Sequence, residues 1–116
     1  MTNQEVFDKV ATALIKQGHQ CKVSDLCSYY NSGSRCAIGW LVSEEDAKYL
    51  EENFRGKGVM DLPNSIVSGD DYDLVFLVGL QDAHDTMYEG SWVEVLKNLL
   101  LDVARDYNLN TDVLDT

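Results

Sequence analysis

A chain of 116 residues with 45% apolar content is long enough for one domain with a single core, and length alone gives no reason to divide it. Twenty acids against nine bases give a formal net charge of −11, a field that repels nucleic acid and anionic membrane and draws in basic partners. No apolar run approaches the roughly 18–20 residues of a membrane span, and Met1-Thr2-Asn3-Gln4-Glu5 has neither region of a secretory signal. A cytoplasmic location is therefore expected.

In chain order, Thr2 and Glu5 form a capping box ahead of Val6, Phe7, Val10, Leu14 and Ile15, which recur at helical spacing. Gly18 supplies the stop, so the first helix is expected from about Gln4 to Gln17. Residues 19–35 have no clear period. Val23–Tyr30 has strand character, Asn31-Ser32-Gly33-Ser34 is turn chemistry, and the pattern predicts a short hairpin joining Cys27–Tyr30 to Arg35–Ile38. Arg35–Val42 is the longest apolar run outside an obvious amphipathic helix and reads as a buried helical turn or short strand.

Ser43-Glu44-Glu45-Asp46 starts a second helix with the stripe Ala47, Leu50 and Phe54, ended by Gly56 and Gly58. Val59–Gly69 carries Pro63 and reads as a connection. A third helix is expected from Asp70 or Asp71 through Met87, apolar nearly all round over Leu74–Leu80 and hence deeply buried. Gly79 within it would permit a close helix crossing. Ser91 and Glu94 open the last helix, whose stripe Val95, Leu96, Leu99, Leu100, Val103, Ala104 and Tyr107 runs to Asn108. Residues 110–116 are expected to fray. The fold class is mainly α: one small domain, residues 1–116, of about four helices with an irregular or β-hairpin segment near residues 21–38.

The charge is unevenly placed. Residues 1–58 hold eight acids and seven bases, a net of −1, whereas residues 59–116 hold twelve acids against Lys97 and Arg105, a net of −10. Asp82, Asp85 and Glu89 fall at i, i+3 and i+7 of the third helix, and Glu94, Asp102 and Asp106 lie along the fourth. Asp70, Asp71 and Asp73 make a third group. Rows of carboxylates match the phosphate spacing of a nucleic acid and suit a basic groove on a partner, although a solvated helix face is their commoner use.

Three cysteines, an odd number, point to thiols rather than a disulfide framework. No catalytic set is assigned; an enzymatic reading would centre on Cys36, beside Arg35, and His84, flanked by Asp82 and Asp85. Buried cysteine is the commoner role. No metal site is assigned either. His19, Cys21, Cys27, Cys36 and His84 show no Cys-x2-4-Cys pair, so zinc would need ligands brought together in space, with Cys27, Cys36 and His84 the candidates. Tyr29, Tyr30 and Trp40 are the candidate aromatic anchors for a partner. Gly56-Lys57-Gly58 is too short for a phosphate loop, and with so few bases no direct nucleic-acid binding is expected.

Cys27, the Cys36-Ala37-Ile38-Gly39-x-Leu41-Val42 block and the Leu80-Gln81-x-x-His84-Asp85 block together resemble uncharacterised small acidic proteins encoded by tailed phages and prophages. In those proteins a Leu/Ile-Pro-Asp pattern is commoner where this chain has Val42-Ser43-Glu44. The resemblance implies a phage origin, expression in the host cytoplasm, and a shared site for Cys27, Cys36 and His84. It carries no cofactor. The function expected is an accessory interaction protein that occludes a basic, nucleic-acid-binding site on a host or defence protein. The alternatives are a small Cys/His-centred enzyme or ligand-binding protein, and a zinc-stabilised structural domain.

Overall fold

Thr2 and Glu5 form the reciprocal cap that their spacing predicts. The Thr2 hydroxyl accepts the Glu5 N–H at 3.1 Å, and the Glu5 carboxylate accepts the Thr2 N–H at 2.9 Å. In the computed structural model, which describes residues 1–23 and 26–115, the helix that follows, α1, spans Asn3–Gln17 and stops at Gly18 with φ 78°. Its inner stripe Val6, Phe7, Val10, Ala11 and Leu14 is buried.

The irregular segment holds two small antiparallel hairpins rather than the single one expected. β1 (Lys22–Val23) pairs with β2 (Leu26–Cys27), and β3 (Tyr30–Asn31) pairs with β4 (Ser34–Arg35). Ser24 and Asp25, inside the strand-like stretch, lie outside the described residues. Ser32 and Gly33 both take positive φ, 52° and 90°, the two-residue turn whose twist matches a hairpin. The apolar run then becomes helix, α2 (Ala37–Leu41), not strand. Gly39 fits this turn of helix against the preceding segment. A Cβ there would meet the Tyr29 carbonyl oxygen at 2.3 Å and Arg35 Cβ at 2.9 Å, so the hairpin backbone rests directly on this turn of helix.

α3 (Glu44–Phe54) is capped by Ser43, which accepts the Asp46 N–H at 3.1 Å, and it buries Ala47, Leu50 and Glu51. A 3-10 turn at Val59–Asp61 leads towards α4 (Leu74–Asp85), which is shorter at both ends than its pattern predicts. Ser68 folds residues 68–72 into a turn, and Asp73 caps the helix by accepting the Phe76 N–H at 3.1 Å. Asp70 and Asp71 therefore precede the helix. At the other end Thr86 is extended, so Glu89 lies in the following loop and does not share a helical face with Asp82 and Asp85. Phe76, Leu77, Leu80, Ala83 and His84 are buried, yet Val75 is 65% exposed, so one side of this apolar helix faces water.

α5 (Trp92–Asp106) starts at Ser91 and packs beside α4. Gly79 faces Val103 there, but a Cβ would stand 3.5 Å away at ordinary contact distance, so the crossing does not require glycine. Asn108 takes the left-handed conformation, φ 55°, and the Leu109 N–H closes the helix on the Ala104 carbonyl at 2.9 Å. Over its described length the tail folds back on α1. Asn110 exchanges hydrogen bonds with the Gln4 side chain at 2.8 and 3.1 Å, and a 3-10 turn at Asp112–Asp115 buries Leu114 near α1. The core between α1, α2, α4 and α5 is closed by Phe7, Leu14, Ile38, Leu77, Leu80, Leu96 and Leu100, each full burial stabilising by about 1.5–3 kcal/mol. No helix among the described residues is long and apolar enough to cross a membrane.

Candidate functional site

The two sequence blocks meet. Gln81, one turn before Asp85 on α4, accepts the Ile38 N–H of α2 through Oε1 at 3.2 Å and donates through Nε2 to Asp85 Oδ1 at 2.9 Å. Asp85 Oδ1 also accepts from His84 Nδ1 at 2.7 Å. The cleft beside them, about 410 Å³, is lined by Cys27, Cys36, Gln81, Asp82 and Asp85, with Leu26 and Met60 exposed among its lining residues.

His84 is fully buried, with its ring edge-on to Trp92 at 5.7 Å between centroids. Its Nε2 faces the Cys21 backbone N–H at 3.0 Å. A backbone N–H can only donate, so Nε2 must be the bare nitrogen and the ring proton must sit on Nδ1, donating to Asp85. Both nitrogens are thereby occupied. This is the carboxylate-oriented imidazole of a nucleophilic site, but the nitrogen that would take a thiol proton holds a strand entry in place instead.

The surroundings of all three cysteines favour the thiol over the thiolate. Cys36 is the N-cap of α2, its Sγ accepting the Gly39 N–H at 3.4 Å, and burial pushes its thiol far above the ordinary range, beyond what the Gly39 bond restores. Cys27 is pushed up to about 11, first by burial and then by the Asp85 carboxylate. Cys21 is also raised, by burial, and its Sγ lies 3.2 Å from both the Ser28 hydroxyl and the Ser34 carbonyl. All three are free cysteines.

As metal ligands, Cys27, His84 and Asp85 do come together, their donor atoms within 4.8 Å of one another. Cys36, the third expected member, is instead bound to its own helix turn. A metal on His84 Nδ1 would move the ring proton to Nε2, where it would face the Cys21 N–H. Two donors would then oppose each other across 3.0 Å in a buried site, so coordination requires the strand entry to detach.

Sequence reasoning missed the residues that fasten this region, because their chemistry is ordinary. Gln20 Nε2 donates to the carbonyls of His84 and Thr86 at 2.7 and 2.8 Å, and Trp92 Nε1 donates to the same His84 carbonyl at 3.2 Å. The buried Glu51 accepts the Tyr29 N–H at 2.9 Å and pairs with Arg55 at 2.6 Å. Gln17 accepts from the Arg35 N–H and Trp40 Nε1 and donates to the carbonyls of His19 and Arg35. Of the candidate aromatic anchors, Tyr29 is buried, while Tyr30 and Trp40 are half-buried and flank the Arg35 guanidinium.

Part of the expected carboxylate set meets on the α4–α5 pair. Asp82, Asp102 and Asp106 line one groove of about 330 Å³ with Gly79 and Val103, and Asp82 also lines the Cys27–Asp85 cleft. Asp73, at the start of α4, and Asp106, at the end of α5, both act on the Tyr107 phenol, which burial raises first. Asp70, Asp71, Glu89 and Glu94 are exposed near the helix ends. Comparison of the chain with family models, with curated proteins and with solved structures finds no match.

Proposed function

We propose that this protein is an interaction protein whose acidic α4–α5 face occupies a basic, nucleic-acid-binding surface on a partner protein. The observation that carries the reading is the convergence of Asp82, Asp102 and Asp106 on one groove, with Asp82 and Asp85 continuing into the next. Arg105 offers Asp102 only a distant ion pair, 3.9 Å, with both side chains about 70% exposed, so most of that charge is available to a partner. Val75, Met87 and Tyr88, exposed by 65, 96 and 43%, add apolar anchors on α4 and the loop after it, a mixture suited to a protein surface. Association would be fast and salt-sensitive, since opposed charge patterns steer encounter and are screened beyond about 8–10 Å. The resemblance to small phage proteins supports a phage accessory factor acting in the host cytoplasm on a host or defence protein.

The test is the triple reversal Asp82→Lys, Asp102→Lys and Asp106→Lys, all at exposed positions. Immobilised wild type should retain a nucleic-acid-binding partner from host lysate at about 50 mM salt and release it near 500 mM. The triple variant should fold and retain none. Capture of the same partner with the same salt dependence by the variant would refute the reading.

A further inference from the structure

A second opening lies far in character from the acidic face. Between the outer side of α1 and the β3–β4 turn runs a groove of about 870 Å³, lined by Lys9, Thr12, Ala13, Lys16, His19 and Trp40 together with Gln17 and the Gly33–Ser34 turn. That volume falls in the range of small-ligand sites, roughly 300–1,000 Å³. Its chemistry is an aromatic wall with a cationic rim, in a molecule of net charge −11.

The aromatic wall is fixed before any ligand arrives. Trp40 Nε1 is held by Gln17 Oε1 at 3.0 Å, and the Arg35 guanidinium carbon sits 4.6 Å over the indole ring. Arg35 itself is short of acceptors. Its Nε is buried with no hydrogen-bond partner among the described residues, and its best contacts are 3.4 Å to the Gly39 carbonyl and 4.0 Å to Glu44. A poorly neutralised cation therefore backs the wall. On the rim, Lys16 has no hydrogen-bond or ion-pair partner among the described residues, and Lys9 reaches the Leu41 carbonyl at 3.1 Å. His19 adds an exposed imidazole, 3.4 Å from the Ser34 hydroxyl. The carboxylate that lines the same groove, Asp8, accepts a hydrogen bond from Gln4 at 2.8 Å.

We propose that this groove binds a small planar organic anion, the ring against Trp40 and the phosphate or carboxylate between Lys16, Lys9 and His19. A flat ring matches the immobilised indole and a charged tail matches ammonium groups left without carboxylate partners. A neutral ring or a bare anion satisfies only half of the site. The proposal is independent of the acidic face, which lies on other helices.

The test is isothermal titration of the full chain with four probes: adenosine monophosphate, 2-naphthoate, adenosine and inorganic phosphate. At least one of the two ring-bearing anions should bind tenfold or more tightly than both adenosine and phosphate, and the preferred one identifies the anionic group. Lys16→Glu, at an exposed position without an internal partner, should weaken that binding at least tenfold while leaving the circular dichroism unchanged. Ring anions no better than adenosine or phosphate, or affinity untouched by Lys16→Glu, would overturn the proposal.

Discussion

His84 is where a structural role and a chemical one make opposite predictions. Replacing it by phenylalanine keeps ring volume and the edge-on contact with Trp92, but removes the acceptor for the Cys21 N–H and the donor to Asp85. An unsatisfied buried N–H costs about 1–3 kcal/mol. Loss of the charge-assisted bond to the 38%-exposed Asp85 adds about 1 kcal/mol after solvent screening. His84→Phe should therefore destabilise by roughly 2–4 kcal/mol, a fall in Tm of about 8–16 °C for a domain of this size. Thermal unfolding by circular dichroism, with and without EDTA, measures it, and hydrogen exchange reports the Cys21 amide. The structural reading requires the wild-type Tm to ignore EDTA and the variant to lose Cys21 protection. A variant within about 0.5 kcal/mol of wild type with that amide still slow, or a wild type that melts early in EDTA, refutes the reasoning.

Gly39→Ala places a methyl 2.3 Å from a backbone carbonyl that cannot step aside, so the overpacking cost of about 1–3 kcal/mol should exceed the propensity gain of about 1 kcal/mol; a variant as stable as wild type in urea would contradict it. Gly79→Ala meets Val103 at an ordinary 3.5 Å and should be neutral or stabilise by up to about 1 kcal/mol, read in the same assay. Cys27, held near 11, should react with iodoacetamide at pH 7.5 about a hundredfold more slowly than a free thiol, and an equal rate would sink the assignment. The raised thiols also set an alkaline limit. Below about pH 8.5 both states are protonated and no stability is at stake; above it the unfolded thiols ionise first, so stability should fall as pH rises towards 11. A Tm flat from pH 7.5 to 10.5 would contradict that sign.

Local chemistry made α1 and α5 legible. Thr2, Glu5 and Gly18 for the first, and Ser91 and Asn108 for the second, act within one or two turns of themselves. The ends of α4 were not legible for the same reason inverted. Asp70, Asp71 and Asp73 all look like first-turn acids, and only the side-chain bond from Asp73 to Phe76 decides between them. The helix stops at Asp85, and the carbonyls on either side of that stop, His84 and Thr86, are taken by Gln20, sixty-odd residues away. At the site, the adjacency of His84 and Asp85 was readable and their pairing follows from it. The partner that settles the proton's position is a backbone amide, and no residue type announces that. Gly39 stood in the sequence as an interruption of an apolar run, and its requirement appears only with the Tyr29 carbonyl in place.

The twin ribbons of residues 22–35 contain strands two residues long and own almost no apolar interior; their neighbours' amide side chains and one carboxylate hold them. Gln17 clasps Arg35, Glu51 clasps Tyr29, and the His84 ring clasps Cys21. Such a segment has no stability apart from the helices that grip it, so it should order last in refolding and melt in the same step as α4. The groove beside Trp40 takes its far edge, Gly33 and Ser34, from the second of these ribbons, so that edge is only as firm as the grip of Gln17 on Arg35.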